Sequence, residues 1–267
     1  MKLGVIGCGN MSKAILRGVL DSEQLSKEQI CIIDRSASST QQAANELGVQ
    51  ASSSLAELVT QSSVILLGVK PQTVTQILSE VSEIDSLFHE KLLISIAAGI
   101  GLDTLASNLP ENARVIRTMP NTPVLVSEGV LAFSPSQSCS ESDEQVIQTL
   151  FSSSSTVTKV PESLMDAITG LSGSGPAYVF SFIESLADGA VKEGLPRDQA
   201  LQLAAQTVLG SAKMVLQTQE HPAVLRDRVS SPGGTTIAGT VAMEANGFRN
   251  AVISAVSSAT QRSKELG

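Results

Sequence analysis

Short apolar runs rich in β-branched residues alternate with longer amphipathic stretches up to about residue 160. The runs predict buried strands at 3–6, 30–34, 64–69, 92–96 and 115–117. The stretches between them have apolar residues at helical spacing and predict helices at 11–20, 39–47 and 71–81, with Gly48 as the C-terminal cap of the second. Strands that alternate with helices form βαβ units with parallel strands. The first part of the chain is therefore predicted to be an α/β domain with a parallel sheet.

The pattern changes near Pro161, after which the β-branched runs stop. Apolar residues then follow helical spacing over 179–191 and 201–212. Many of these positions are Ala, Gly or Ser, and apolar residues occur on more than one face, which indicates helices that are covered by another chain as well as by their own. We expect two domains, residues 1–161 and 162–267, of which the second is all-α and forms a homodimer.

A glycine-rich turn follows the first predicted strand and opens the first predicted helix. It reads Gly7-Cys8-Gly9-Asn10-Met11-Ser12. Gly7 allows a tight turn, and Gly9 lets a pyrophosphate approach the amide groups at the helix N-terminus. Ser12 replaces the third glycine of the dinucleotide-binding fingerprint but is small enough for close packing of helix against strand. This pattern predicts a Rossmann-type domain, and the alternative is a tight turn without a ligand.

The end of the second predicted strand gives two conflicting signals about the cofactor. Asp34 lies about 20 residues beyond the glycine turn, where a carboxylate accepts hydrogen bonds from the ribose of NAD(H). Arg35 and Ser36 follow at once, and a guanidinium beside a hydroxyl suits the 2′-phosphate of NADP(H). The alternative is that Asp34 caps a turn and Arg35 is a solvated charge. Cys8 has no His or Cys near it in sequence and is predicted to be a small packing residue.

Composition and charge exclude several classes of function. The chain has two histidines and three cysteines, none in a C-x-x-C or H-E-x-x-H arrangement, so we predict no metal site. A net charge of −8 argues against nucleic-acid binding. No apolar stretch approaches the roughly 18 residues that span a bilayer, and the N-terminus does not resemble a signal peptide. The odd cysteine count indicates a reducing compartment. We expect a cytoplasmic protein that binds a small molecule and no membrane.

A second glycine motif, Ser230-Ser231-Pro232-Gly233-Gly234-Thr235-Thr236, lies in the helical part. Pro232 ends the preceding helix, the glycines remove Cβ hindrance, and the threonines open the next helix. Amide and hydroxyl donors at a helix N-terminus bind a small carboxylate without Arg or Lys. The alternative is a glycine-rich cap that only joins two helices.

The order of five segments resembles the Δ1-pyrroline-5-carboxylate reductase family over essentially the whole chain. The segments are the glycine turn and residues 64–72, 117–123, 171–178 and 221–236. Departures from the family pattern are Ser12, Asp34-Arg35, and Gly68 in place of the usual Ala. The resemblance implies a Rossmann domain, a helical domain that interlocks with a second subunit, assembly of dimers into a decamer, and reduction of 1-pyrroline-5-carboxylate to L-proline. It implies NADP(H) as the favoured cofactor, with NAD(H) as the alternative.

The resemblance also implies roles for individual residues. Together with Asp34 and Arg35 at the end of the second predicted strand, the residues that would contact the cofactor are Gly7, Cys8, Gly9, Asn10, Met11, Ser12, Val69, Lys70, Pro71, Ala97 and Asn121. Residues that would bind the substrate are Glu162 near the ring nitrogen, and Ser231, Gly234, Thr235 and Thr236.

The chemistry favours alignment of two bound molecules over strong acid catalysis, because a protonated C=N bond already accepts hydride. We predict that Thr236 bonds the ring nitrogen or relays its proton, while Ser231 and the amides of Gly234 and Thr235 bind the carboxylate. One rival is a β-hydroxyacid-type dehydrogenase, which needs a catalytic lysine in its helical domain. A second rival is a dinucleotide sensor without catalysis.

Overall fold

The structure is a computed structural model that describes residues 1–84 and 88–266. The chain divides into two compact units. The first comprises Met1–Gly173 together with Ala259–Gly267, and the second comprises Ser174–Ser258. The second unit is built only of helices and turns within the described residues, as predicted for the C-terminal part.

One sheet of eight strands forms the centre of the first unit, within the residues that the structure describes. The strands are β1 (Leu3–Ile6), β2 (Ile30–Ile33), β3 (Gln50–Ala51), β4 (Val64–Leu67), β5 (Leu92–Ser95), β6 (Arg114–Pro120), β7 (Gly129–Pro135) and β8 (Ser155–Lys159). Their order is β3-β2-β1-β4-β5-β6-β7-β8. All neighbours are parallel except β6 and β7, which pair antiparallel. The prediction of a parallel α/β sheet is confirmed for five strands, while β3, β7 and β8 were not predicted.

The strand order places a crevice beside β1. The chain moves outward through β2 and β3 and then returns to the other side of β1 with β4. In such a doubly wound sheet, ligands bind outside the carboxyl ends of the strands at the point where the order reverses. Gly7 and Gly68 directly follow β1 and β4, so the predicted cofactor loop lies at this point.

Helices cover both faces of the sheet in the first unit. They are α1 (Asn10–Asp21), α2 (Ala37–Leu47), α3 (Leu55–Gln61), α4 (Val74–Ile84), α5 (Leu102–Ala106), α6 (Glu141–Phe151) and α7 (Met165–Ile168). Two apolar cores result, one on each face of the sheet, and side chains alternate between them along a strand, as Leu66 and Leu67 do on β4. Gly48 ends α2 at φ +70°, which confirms the predicted cap.

The second unit contains α8 (Gly175–Lys192), α9 (Arg197–Thr218), α10 (Pro222–Arg228) and α11 (Thr235–Ala245). The last helix, α12 (Phe248–Leu266), belongs to this unit in its first half and to the first unit in its last turns. Large apolar side chains on these helices are exposed, including Phe180 at 63% and Leu216 at 71%. Exposed apolar surface on this scale indicates an interface with another chain. Within the described residues, none of the helices combines the length and apolarity that crossing a bilayer requires.

Candidate functional site

The glycine turn after β1 has the geometry that a bound pyrophosphate requires. Gly7 adopts φ +91°, and its amide donates to the carbonyl of Ile33 at 2.8 Å. A Cβ on Gly7 would lie 2.8 Å from the carbonyl atoms of Gly68, so only glycine fits. A Cβ on Gly9 would meet nothing within 4 Å. The turn is therefore tight towards the sheet and open at Gly9.

The first turn of α1 presents backbone donors at this open side. Gly9 is the N-cap residue, and its carbonyl accepts the amide of Lys13 at 3.0 Å. The amides of Asn10, Met11 and Ser12 precede the first helical hydrogen bond and have no protein acceptor among the described contacts. The first turn carries no acidic side chain. Such an N-terminus favours an anion through its amide groups and the helix dipole.

Cys8 packs into the protein inside this turn. It is 4% exposed, and its thiol lies 3.8 Å from the carbonyl oxygen of Ile33. Burial, with a smaller contribution from the charge of Asp34, raises the pKa of the Cys8 thiol to about 12. A thiol that stays protonated at neutral pH is not a nucleophile. Cys8 therefore packs as predicted, and only its backbone is available to a cofactor.

The segment after β2 is arranged around the start of α2. The carboxylate of Asp34 accepts the amide of Arg35 at 2.7 Å, and the hydroxyl of Ser36 caps α2 through the amide of Ser39 at 3.1 Å. The Ser36 hydroxyl also lies 3.0 Å from that of Ser38. Arg35 is exposed, and no ion pair is recorded for it within the described part of the chain. An exposed arginine thus directly precedes, in sequence, a cluster of serine hydroxyls at the start of α2.

The other predicted cofactor residues lie at the ends of β4 and β5. Val69 is half-buried, and Lys70 is exposed and begins a 3₁₀ turn with Pro71 in its first position. Ala97 is 4% exposed, and its amide donates to the Ser95 hydroxyl at 3.3 Å. Because parallel strands end at one edge of the sheet, these residues share that edge with the glycine turn.

Asn121, also predicted to contact the cofactor, has its side chain engaged by the protein. Its Oδ1 accepts the amide of Val130 at 2.8 Å, and its Nδ2 donates to the carbonyl of Ser172 at 3.1 Å. The side chain is 7% exposed and ties the end of β6 to β7 and to the turn before α8. Asn121 thus shapes the edge of the site through its protein contacts.

Glu162, predicted to lie near the substrate nitrogen, anchors a helix of the first unit. Its Oε1 accepts the amide of Leu102, the first residue of α5, at 2.5 Å and pairs with Arg117 at 3.2 Å. The side chain of Arg117 on β6 is only 10% exposed. Glu162 lines a cleft of about 810 Å³ that also contains Asp103, Gln137 and other residues of the first unit. The sequence motif contained Arg117, but nothing local indicated its pairing with Glu162.

The second glycine motif forms a turn that leads into α11. Gly233 adopts φ +69°, and Gly234 is the N-cap residue in an extended conformation. The amide of Gly234, predicted to bind the carboxylate, donates to the carbonyl of Ser231 at 3.0 Å in this structure. A Cβ on Gly234 would lie 2.3 Å from the Ser231 hydroxyl, so the two residues are too close for a side chain at position 234.

The donors that remain at the start of α11 belong to the next residues. The amides of Thr235, Thr236 and Ile237 precede the first helical bond, which runs from the amide of Ala238 to the carbonyl of Gly234 at 3.3 Å. Thr236 is half-buried and Thr235 is exposed. Neither threonine hydroxyl has a partner among the described contacts, and hydroxyls beside free amides suit a small carboxylate.

Residues upstream of this motif brace α10, a role that sequence reasoning missed for Glu220. The carboxylate of Glu220 forms two hydrogen bonds with the guanidinium of Arg228, one of them at 2.6 Å. His221 accepts the amide of Ala223 through Nδ1 at 3.2 Å and caps α10. The Glu220–Arg228 pair thus joins the two ends of α10, and the His221 cap fixes its first turn.

Comparison with known proteins identifies a family match for each of the two parts of the chain. Residues 162–266 match the family model for pyrroline-5-carboxylate reductase dimerisation. Residues 2–99 match the family model described as NADP oxidoreductase, coenzyme F420-dependent. The pyrroline-5-carboxylate reductase of Methanosarcina acetivorans is 46% identical over 266 residues, which cover 100% of this chain and 98% of the relative. That of Escherichia coli is 42% identical over 265 residues, or 99% and 98% of the two chains.

Solved structures agree over the full length. A pyrroline-5-carboxylate reductase from Coxiella burnetii has a TM-score of 0.93 at 31% identity and covers 100% of this chain and 98% of its own. Plasmodium falciparum pyrroline carboxylate reductase, solved with NADP bound, has a TM-score of 0.89 at 33% identity with the same coverage. A prephenate dehydrogenase from Aquifex aeolicus, at 14% identity and a TM-score of 0.55, shares the fold alone.

Proposed function

The chain belongs to the pyrroline-5-carboxylate reductase family and catalyses the NAD(P)H-dependent reduction of 1-pyrroline-5-carboxylate to proline, and we propose that two helix N-termini bind the two reactants. The first turn of α1 binds the cofactor pyrophosphate, and the first turn of α11 binds the substrate carboxylate. The observation that carries this proposal is that each helix begins with unpaired amides behind a glycine N-cap. Both turns are thus prepared for an anion.

The residues of the glycine turn fit a dinucleotide. Space at Gly9 and the tight backbone at Gly7 allow a diphosphate to approach the amides of Asn10, Met11 and Ser12. Val69, Lys70, Pro71 and Ala97 extend the same sheet edge and would line the remainder of the cofactor. When bound, the reduced nicotinamide supplies a hydride. The protein's part is to hold the cofactor in a fixed orientation and to keep the substrate beside it.

NADP(H) fits the end of β2 better than NAD(H). The Asp34 carboxylate already accepts the amide of Arg35, whereas the guanidinium of Arg35 has no recorded ion pair in the described residues. A 2′-phosphate would provide that guanidinium with a partner and would also bond Ser36 and Ser38. Asp34 then orders the turn that presents Arg35. NADH remains a weaker alternative.

Substrate binding at α11 follows from the free donors there. The amides of Thr235 and Thr236 and the hydroxyl of Ser231 bind the carboxylate, and the Gly234 turn sets their positions. The half-buried Thr236 hydroxyl bonds the ring nitrogen. Glu162 of the first unit has only Oε1 in its recorded contacts, so its Oε2 is available to accept a hydrogen bond from the N–H of the protonated ring.

The reaction needs little acid catalysis from this chain. Protonation of the ring nitrogen makes the C=N carbon electrophilic, hydride adds to that carbon, and the π electrons become the nitrogen lone pair. Thr236 stabilises the nitrogen through a hydrogen bond and needs no unusual acidity to do so. Orientation of the two molecules supplies most of the rate enhancement.

The exposed apolar helices of the second unit fit the dimerisation family that they match. We propose that these dimers assemble further into a decamer, and light scattering in solution tests the number of subunits. We also propose a cytoplasmic location, which suits three free cysteines because the cytoplasm keeps thiols reduced. The first domain is proposed to end at residue 161 and the second to cover 162–267.

One assay tests the proposed function. Oxidation of NADPH and of NADH is followed separately at 340 nm with 1-pyrroline-5-carboxylate, and proline is identified as the product. Turnover with a lower KM for NADPH supports the proposal. NADPH binding without turnover would instead support a dinucleotide sensor, and turnover only with a β-hydroxyacid would support the rival dehydrogenase.

A further inference from the structure

Ser12 and Gly68 occupy one shared space beneath the first turn of α1. Ser12 lies in that turn, and Gly68 directly follows β4. A Cβ built on Gly68 would lie 2.1 Å from the Ser12 hydroxyl oxygen, a separation that Cβ atoms essentially never show. The volume that a side chain at position 68 would fill is therefore already taken by the serine hydroxyl.

The hydroxyl has no other role within the described structure. Ser12 is 1% exposed, and its Oγ has no hydrogen-bond partner among the described residues. Because the residue is buried, the hydroxyl cannot turn into solvent to make room. A buried hydroxyl without a partner is unfavourable, so its presence calls for a packing explanation.

We infer that Ser12 and Gly68 form a matched packing pair that sets the distance between α1 and β4 and so positions the cofactor-binding amides. A third-position glycine normally permits close approach of helix and strand. Here the helix carries the extra atoms and the strand carries the glycine. Ser12 is thus a positioning residue, and its hydroxyl is not a cofactor ligand.

The pair also affects the position of the glycine turn, because the carbonyl of Gly7 lies beside position 68 as well. A Cβ on Gly68 would also lie 2.9 Å from the carbonyl oxygen of Gly7. A larger residue at 68 alone therefore pushes on both the helix and the glycine turn. Displacement of binding groups by about 1 Å lowers binding or rate by up to about 100-fold.

Two variants test the pair through the Kd for NADPH, measured by fluorescence titration without substrate. Gly68→Ala is expected to raise the Kd by at least about 10-fold, and Ser12→Gly combined with Gly68→Ala is expected to restore it to within about 3-fold. Recovery is partial because the Gly7 carbonyl stays close to position 68.

Gly4→Ala is the matched control for a clash elsewhere. A Cβ on Gly4 would lie 2.3 Å from the Ser62 hydroxyl, a similar contact at the other end of β1. This variant is expected to lower Tm while the NADPH Kd of the folded protein stays within about 2-fold. If it does not fold, Gly18→Ala replaces it, since its Cβ would meet Ser154 at 2.9 Å.

The packing pair rests on the proposed function, but different results would contradict each of them. Absence of NADPH binding by the unmodified protein would contradict the proposed function. Normal binding by Gly68→Ala, or no recovery in the double variant, would overturn the pair alone. If Gly68→Ala is insoluble, recovery of soluble protein that binds NADPH in the double variant supports the pair, and insolubility of both overturns it. In steady-state assays the KM for NADPH should follow the Kd, while kcat at saturating cofactor changes less than about 3-fold.

Discussion

Replacement of Thr236 by Val tests the proposed role of its hydroxyl with almost no change in shape. The substitution keeps the β-branched side chain and the amide of residue 236 and removes only the hydroxyl. That hydroxyl is half-buried and has no partner in the described contacts, so its removal breaks no bond of the protein. We therefore expect Tm to change by less than about 2 °C. Any loss of activity then belongs to the substrate.

The magnitude follows from the bond that the hydroxyl would make to the charged ring. A hydrogen bond to a charged group contributes about 1.5–3 kcal/mol. At about 1.4 kcal/mol for each factor of ten, kcat/KM for 1-pyrroline-5-carboxylate should fall about 10- to 150-fold. The KM for NADPH should stay within about 2-fold, because the cofactor is bound through α1.

Thr240→Val is the matched control on the same helix. The Thr240 hydroxyl already donates to the carbonyl of Ile237 at 3.0 Å and is not part of the proposed site. Its loss is expected to leave kcat/KM within about 2-fold. Both variants are assayed by NADPH oxidation at 340 nm over a range of substrate concentrations. A kcat/KM near that of the unmodified protein for Thr236→Val would remove this residue from the mechanism.

Three further substitutions give separate tests. Arg35→Ala should raise the KM for NADPH by about 10- to 100-fold and leave that for NADH unchanged, and equal effects on both cofactors would exclude a 2′-phosphate contact. Glu162→Gln should raise the KM for substrate by about 10-fold. A lower Tm with unchanged KM would limit Glu162 to its contacts with Leu102 and Arg117. Because burial raises the pKa of the Cys8 thiol from 9.0 to about 12, its stabilising contribution is complete below pH 9 and is lost as the pH rises toward 12. The Tm of the unmodified protein should thus fall more steeply between pH 8 and 11 than that of Cys8→Ala, and parallel curves would contradict this.

Local patterns in the sequence were sufficient for the centre of the sheet. The strands β1, β2, β4, β5 and β6 are buried on both faces, so they appear as apolar runs, and each lies close to its predicted position. The outer strand β8 was not predicted because it is built of Ser, Thr, Val and Lys and pairs only with β7. An edge strand leaves fewer apolar positions, which weakens its signal.

At the candidate site too, the sequence predicted the local features of the two glycine motifs but not the contacts made when each turn closes. The sequence predicted Gly7 and Gly9 at a helix N-terminus, because the constraint on each residue is local. It also predicted the second motif, but it could not show that the Gly234 amide bonds the carbonyl of Ser231 at 3.0 Å. That bond depends on how the turn closes, and it moves the available donors to Thr235 and Thr236.

The sequence by itself determined the α/β and helical parts, the two glycine turns and the family. Only the tertiary structure decided which side chains are already engaged by the protein. Asn121 bonds Ser172, Glu162 bonds Arg117, and the space beside Ser12 excludes a side chain at position 68. These contacts join residues far apart along the chain. Helix and strand signals repeat over a few neighbours and remain visible in sequence, whereas a single contact across the fold leaves no periodic pattern.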